Sequence, residues 1–325
     1  MDYNINEVKL GGFIMLSIYK SAENGKLIKP ENIEPGCWIN MIDPSDEDLI
    51  FVSKNTNVPI DFLRAALDEE ETSRIEIEDC TLVILDIPFT DMDDNSLTYD
   101  TYPLSIIHND KVIITVCLKN SKVLSDFSEG KISSFFTFKR SRFMLQILYR
   151  IANYYLIYLR QIDKKSYVVE KQLHKSLRNK ELILLLALAK SLVYFSASLK
   201  GNEITLEKML KLDILQMYED DKDVLEDVII ENRQAIEMCT IYSNILSGTM
   251  DAYSSVISNN LNTVMKFLAA ITIVMAIPNM VSGLFGMNLP GIPFTANVVG
   301  FWYVVAVISL IVIFVIYYLN KKDMF

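Results

Sequence analysis

Carboxylates supply the densest chemistry in this chain: Glu219, Asp220, Asp221, Asp223, Glu226 and Asp227 put six acids within nine residues. On a helix Asp220, Asp223 and Asp227 share one face. Such a run is either a solvated surface or a place where a bridging dication relieves the repulsion between neighbouring carboxylates. A second set of residues is sparser and follows helical spacing. Asn262, Met265, Leu268, Thr272, Ala276, Asn279 and Gly283 succeed one another at three or four residues and hold most of the polar and small side chains of their segment. That stripe reads in two ways: as the lining of a pore, or as a contact where small residues let helices approach while Thr272 and Asn279 hydrogen-bond across them. Little else could do chemistry. The only histidines are His108 and His174, and Cys37, Cys80, Cys117 and Cys239 form no C-x-x-C pair. A histidine centre, a thiolate zinc site and a disulfide framework all lack material, so the chain reads as no enzyme, with reduced, mostly buried thiols.

The elements that must position these residues begin with a membrane hairpin. From Phe267 to Asn320 there is no Lys, Arg, Asp or Glu in 54 residues, although the chain has 31 basic and 41 acidic side chains. The stretch is broken at its centre by Gly286-Met287-Asn288-Leu289-Pro290-Gly291-Ile292-Pro293, a cluster of helix breakers. Two spans follow, 267–285 and 298–319, with an outer loop at 286–297 and a tail at 320–325. Each has about 20 residues, enough to cross ~30 Å of hydrocarbon. Lys266 precedes the first span and Lys321 and Lys322 follow the second, whereas the loop is uncharged, so both chain ends stay on the cytoplasmic side of a cell membrane. The N-terminus has no basic and apolar leader, which keeps the long N-terminal part cytoplasmic. A net charge of −10 makes nucleic acid a poor partner and cations the natural counter-species.

Proline divides the remainder. Six prolines lie between Pro30 and Pro103, three from Pro278 onward, and none between. The early region, 1–134, alternates apolar runs such as Phe13 to Tyr19, Leu82 to Ile87, Leu104 to Ile107 and Val112 to Cys117 with a capped helix start at Pro44-Ser45-Asp46-Glu47. It reads as an α/β domain. Helical spacing takes over in 135–200, with Phe143, Ile147, Leu148 and Ile151 on one face. Gly201-Asn202 reads as a break, after which one stalk helix, 203–266, continues into the first span. Helical throughout to Gly283, it would be about 120 Å long. The expected class is an α+β membrane protein: cytoplasmic α/β domain, long stalk helix and two C-terminal transmembrane helices. Two such helices cannot enclose a pore, but several copies around an axis can.

Gly286-Met287-Asn288, placed just after the first of two C-terminal spans, resembles the signature of the CorA family of magnesium channels. The likeness extends without gaps through Ser247-Gly248, Asp251, Tyr253, Ser255, Asn262, Val264-Met265-Lys266 and Gly283. Upstream, Trp38-Ile39-Asn40 and the segment from Leu67-Asp68-Glu69-Glu70-Glu71 to Arg74-Ile75-Glu76 are similar to the family's N-terminal domain. The resemblance implies a funnel-shaped homopentamer embedded in the lipid bilayer, with the first span lining the pore and Mg²⁺ as both cargo and regulator; Co²⁺ and Ni²⁺ are further candidate ions. It implies a selectivity filter at Gly286, Met287 and Asn288, in which a ring of Asn288 carbonyls receives hydrogen bonds from the waters that Mg²⁺ sheds reluctantly. Asn262 matches the inner pore mouth, and Met265 and Leu268 match a hydrophobic constriction that gates by dewetting. Asp227 is in register with an aspartate that binds Mg²⁺ between subunits, with Asp68 as the candidate partner and Asp220 and Asp223 beside it.

Three departures stand out. Asn279 replaces the usual Thr midway along the pore, Ala276 replaces a Met, and the loop from Leu289 to Val299 lacks the acidic residue of many relatives. Two alternatives accompany the magnesium reading: a zinc-transporting relative of the same architecture and, more distantly, a non-conducting membrane-anchored sensor.

Overall fold

The computed structural model describes residues 9–10, 13–14, 16–22, 25–93, 96–132, 135–173, 179–212, 219–287, 292–293, 298–322 and 324. They divide into two compact units, 1–248 and 249–325. The first is built on a seven-stranded mixed sheet. Strands β1 (Lys9–Leu10) and β2 (Phe13–Ile14) pair separately. The large sheet takes β3 (Leu16–Ser21), β4 (Leu27–Ile28), β5 (Cys37–Ile42), β6 (Arg74–Ile77), β7 (Thr81–Asp93), β8 (Ser96–His108) and β9 (Ile113–Cys117) in the order β4-β3-β5-β9-β8-β7-β6. Only the central pair, β5 with β9, is parallel. Strands at such a position are covered on both faces and need apolar residues on both. Cys37 to Met41 and Ile113 to Cys117 are buried throughout and apolar except for Asn40 and Thr115, whose hydroxyl donates to the Asn40 side-chain oxygen at 2.9 Å.

Alternation assigns the two faces. Cys37, Ile39 and Met41 of β5, with Ile114 and Val116 of β9, pack beneath α1 (Asp46–Thr56) and α2 (Ile60–Arg64) through Leu49, Val52, Phe62 and Leu63. α1 starts where the sequence places it. The Ser45 hydroxyl accepts from the Asp48 N–H while the Asp48 carboxylate accepts from the Ser45 N–H, a reciprocal cap. On the opposite face Trp38 is enclosed by Tyr19, Phe127 and Phe143, and its indole N–H donates to Thr115 Oγ1 at 2.8 Å. Phe127 belongs to α3 (Lys122–Ser128) and Phe143 to α4 (Arg140–Leu173), whose Phe143, Ile147, Leu148 and Ile151 are all buried.

α5 (Asn179–Leu212) corrects the expected break at Gly201-Asn202, because the helix runs through both residues. Asn202 is buried and acts as a spacer between helix and sheet. Its side-chain oxygen accepts from the Asp86 N–H at 2.9 Å and from the Ser73 hydroxyl at 2.8 Å, while its NH₂ donates to the Asp86 carbonyl at 2.8 Å. The last β6 to β7 partners are Arg74 and Ile84, so the amide of Asn202 stands in for the strand backbone two residues farther along β7. The expected stalk helix 203–266 therefore does not begin at Glu203. A new helix, α6 (Glu219–Phe285), starts after residues 213–218, which lie outside the described set.

Within the first unit α6 runs antiparallel to α5. The Asn232 amide donates to the Leu199 carbonyl at 2.9 Å and the Cys239 thiol to the Leu192 carbonyl at 3.1 Å, seven residues forward on one helix and seven back on the other. Arg233 joins the pair by ion pairs to Glu203 at 2.8 Å and Glu207 at 2.6 Å.

Among the described residues three helices are long and apolar enough to cross a membrane: α5, α6 and α7 (Val298–Lys321). The sequence analysis counts two. Burial separates them, since 39% of the apolar window of α5 is buried against only 6% in α6 and α7. The buried apolar side chains of α5 pack toward β6, β7, β8 and α4, although Ile183, Leu186 and Val193 stay exposed, whereas the other two windows are scarcely buried at all.

Asn202→Ala removes the partner of the Asp86 N–H and should destabilise the first unit by about 1–3 kcal/mol, while Lys200→Ala on the exposed side should stay within about 0.5 kcal/mol. Denaturant unfolding of the full chain, followed by Trp38 emission in a Trp302→Phe background, measures both; equal midpoints would contradict the spacer role.

Candidate functional site

The acidic run begins α6, and the helix sorts it by face. Asp221 is in register with Leu225, Val228, Asn232, Ala235 and Cys239, at steps of four and three, and all six are buried. Its carboxylate accepts from Arg142 of α4 at 2.7 Å. A carboxylate taken out of water in this way needs its cation, so the pair fixes the start of α6 against α4. Asp223, Glu226 and Asp227 point away from that seam and are exposed. The side chain of Asp220 lies outside the described set.

Asp68 follows the short 3-10 turn Ala65–Leu67 and is exposed. Its Oδ1 accepts from the Glu70 N–H at 3.0 Å, a local turn that leaves its other oxygen outward. Glu71 is engaged by Arg74, which also holds Glu76 at 2.5 Å. Among the described residues no three His, Cys, Asp or Glu side chains are grouped so that one chain could hold a metal ion. The donor chemistry of Asp68, Asp223 and Asp227 fits a hard dication, but each chain contributes single carboxylates and not a cage. His108 offers no alternative: burial, with help from Arg140, holds its pKa down to about 4, so it is neutral near pH 7. His174 lies outside the described residues.

The second unit carries the stripe. In the spanning part of α6, Ala270 is fully buried and Val274, Ile277, Pro278 and Val281 are half-buried. In α7 the covered positions are Gly300, Val304, Ile308, Val312, Val315 and Leu319, again at steps of three and four. These two faces form the seam of the hairpin. Asn262, Met265, Leu268, Thr272, Ala276, Asn279 and Gly283 are all exposed, with Met265 at 59% and Leu268 at 52%. At about 100° per residue the part of this stripe within the span is centred roughly 170° from the seam. The hairpin thus turns its most polar face away from its own second helix. Thr272 returns its hydroxyl to the Leu268 carbonyl at 2.8 Å, which keeps that group satisfied without a partner helix.

The helix ends at Phe285 through backbone bonds from the Gly286 N–H to the Ser282 carbonyl at 2.9 Å and from the Met287 N–H to the Leu284 carbonyl at 3.4 Å. A Cβ on Gly286 would stand 3.2 Å from the Ser282 oxygen, so glycine allows the close turn. Met287 is half-exposed at 49%. Asn288 lies outside the described residues.

A sheet-based α/β unit carrying long helices is followed in the chain by an apolar hairpin with a turn at Gly286-Met287. The family model described as CorA-like Mg²⁺ transporter protein matches residues 34–322. The chain belongs to the CorA family. The cobalt/magnesium transport protein CorA of Methanocaldococcus jannaschii is 26% identical over 324 residues, covering 95% of this chain and 99% of that protein. The complete structure of the CorA magnesium transporter from the same organism superposes with a TM-score of 0.79 at 25% identity, covering 94% of this chain and 97% of that one. The cobalt/magnesium transport protein CorA of Thermotoga maritima is 26% identical over 196 residues, 57% of this chain and 53% of that protein. CorA proteins are transporters, not enzymes, and the C-terminal apolar helices make this chain a membrane protein.

Sequence reasoning missed the pairing of Arg142 with Asp221. A signal was present. Asp221 alone of the acidic run falls on the apolar stripe Leu225, Val228, Ala235 and Cys239, and a carboxylate at such a position requires a partner.

Proposed function

We propose that the chain assembles as a homopentamer that conducts hydrated divalent cations, Mg²⁺ foremost, into the cytoplasm. The observation that carries the reading is the exposed stripe opposite the hairpin seam, apolar at Met265 and Leu268 and polar or small at Asn262, Thr272, Ala276, Asn279 and Gly283. A face with amide and hydroxyl groups is costly against lipid and is satisfied by a water-filled axis shared by several copies. The family, and relatives named for cobalt and magnesium transport, support the ion class. Both chain ends stay cytoplasmic by the positions of Lys266, Lys321 and Lys322. Native mass measurement in mild detergent should give five copies; a monomer or dimer would remove the pore.

In this reading Gly286, Met287 and Asn288 form the filter at the outer mouth, where one amide oxygen per subunit binds water of the hydrated ion. Asn279 adds a second ring of acceptors in place of a hydroxyl, and Met265 and Leu268 make the dry constriction. Purified protein in liposomes should take up Mg²⁺, and comparison with Co²⁺, Ni²⁺ and Zn²⁺ sets the ion order; uptake of Zn²⁺ with little Mg²⁺ would instead favour a zinc transporter. Asn288→Ala should lower Mg²⁺ uptake at least tenfold while the assembly persists. Undiminished uptake would disprove the filter.

Regulation rests on the exposed carboxylates. Mg²⁺ prefers charged oxygen ligands, so an ion bridging Asp227 of one subunit and Asp68 of the next, with Asp223 and Asp220 near, would hold subunits together and keep the pore shut. Falling cytoplasmic Mg²⁺ would release them. Asp227→Asn should conduct at Mg²⁺ levels that close the parent, and Mg²⁺ should protect its soluble part from proteolysis less well. Identical Mg²⁺ dependence of parent and variant in both assays would reduce the run to a solvated surface.

A further inference from the structure

Charge is distributed unevenly in the first unit. Residues 160–181 hold seven Lys and Arg against three Asp and Glu, a local excess of four positive charges in a chain of net −10. On α4 the basic residues follow helical spacing, for Arg160, Lys164 and Lys171 lie at steps of four and seven. All three are exposed, and none forms an ion pair among the described residues. Basic residues earlier in α4 behave differently: Arg142 is bound by Asp221 and Arg150 by Asp126. Between Lys164 and Lys171 the same face carries Tyr167, exposed by 65%, and Val168, exposed by 47%. Lys180, at the start of α5, is exposed as well.

Unpaired Lys and Arg interleaved with an outward tyrosine and valine match the headgroup zone of an anionic leaflet. The cations meet phosphate there, and the amphipathic ring and the aliphatic lysine stems settle at the polar boundary. A membrane protein has such a surface as a permanent neighbour. An otherwise acidic unit would be repelled by it and needs a local patch of opposite sign to approach. We propose that the outer face of α4 formed by Arg160, Lys164, Tyr167, Val168 and Lys171 binds the headgroups of anionic phospholipids. The proposal uses none of the residues assigned to the ion path or to the carboxylates of α6, so it stands or falls independently of transport.

The test uses the full chain in nanodiscs of pure phosphatidylcholine and in nanodiscs with about one-third phosphatidylglycerol. Acetylation rates of Lys164 and Lys171 are read by mass spectrometry, with the exposed Lys54 of α1 as internal reference. In the anionic discs both lysines should label at least about threefold more slowly at low salt, and about 0.5 M salt should restore the rate by screening. Lys54 should be indifferent to lipid. Soluble glycerophosphoglycerol or inorganic phosphate added to the neutral discs should give no protection; protection by either would mean a free-anion site and overturn the proposal. Equal labelling in the two lipids would overturn it too, whether fast, as for a merely solvated face, or slow, as for a face covered by another copy of the chain.

Discussion

Polar groups on a membrane helix cannot be left facing hydrocarbon, and the architecture of the second unit depends on that constraint. Asn262, Thr272 and Asn279 share a face with Ala276 and Gly283, while Ala270, Val274, Ile277 and Val281 take the hairpin seam on the other side. Had the stripe faced α7, its amides would have met a helix that is apolar over nearly all of its length. Turned outward, the polar groups of the stripe have no partner in α7, and in the proposed pentamer a ring around an axis gives them water and copies of the chain. α7, apolar over nearly all of its length, is suited to lipid.

The same logic of compensation runs through the soluble unit in another medium. Water tolerates the carboxylates of Asp223, Glu226 and Asp227, whereas Asp221, turned into the contact with α4, is held by Arg142. The beginning of α6 is therefore tied to α4 by a buried carboxylate held by a partly exposed arginine, while the neighbouring acids face solvent. Removing Arg142 would cost more than the pair contributes, because Asp221 would stay desolvated without its cation. A rigid attachment beside exposed carboxylates is a suitable base for a sensor, since a metal bound there would act on a helix already fixed in register.

α5 illustrates how apolar content alone misleads. Its sequence satisfies the length and polarity of a membrane span, but Leu185, Leu188, Leu192, Phe195 and Leu199 are used up against the sheet, α4 and α6. Asn202 explains why the helix does not stop where a Gly-Asn pair invites it to. A helix terminus there would withdraw the amide that completes the hydrogen bonding of Asp86, and the backbone groups left behind would cost more than one glycine in a helix interior.

The sequence by itself determined the features that rest on local composition and period. The uncharged 54 residues and their central breakers define two spans, apolar runs such as Val112 to Cys117 mark strands of an α/β domain, and Pro44-Ser45-Asp46-Glu47 marks the start of α1. The stripe of α6 was equally legible, because a helix converts spacing directly into a face. Tertiary structure decided what each face meets. That Asp221 finds Arg142, 79 residues away, and that Asn202 reaches Asp86, 116 residues away, depends on which helix lies on which strand. Spacing along one helix carries no record of such distant partners. That the stripe lies opposite the seam was likewise decided by the packing of α6 in its hairpin, since nothing in the period of a helix says which of its faces a neighbour will cover.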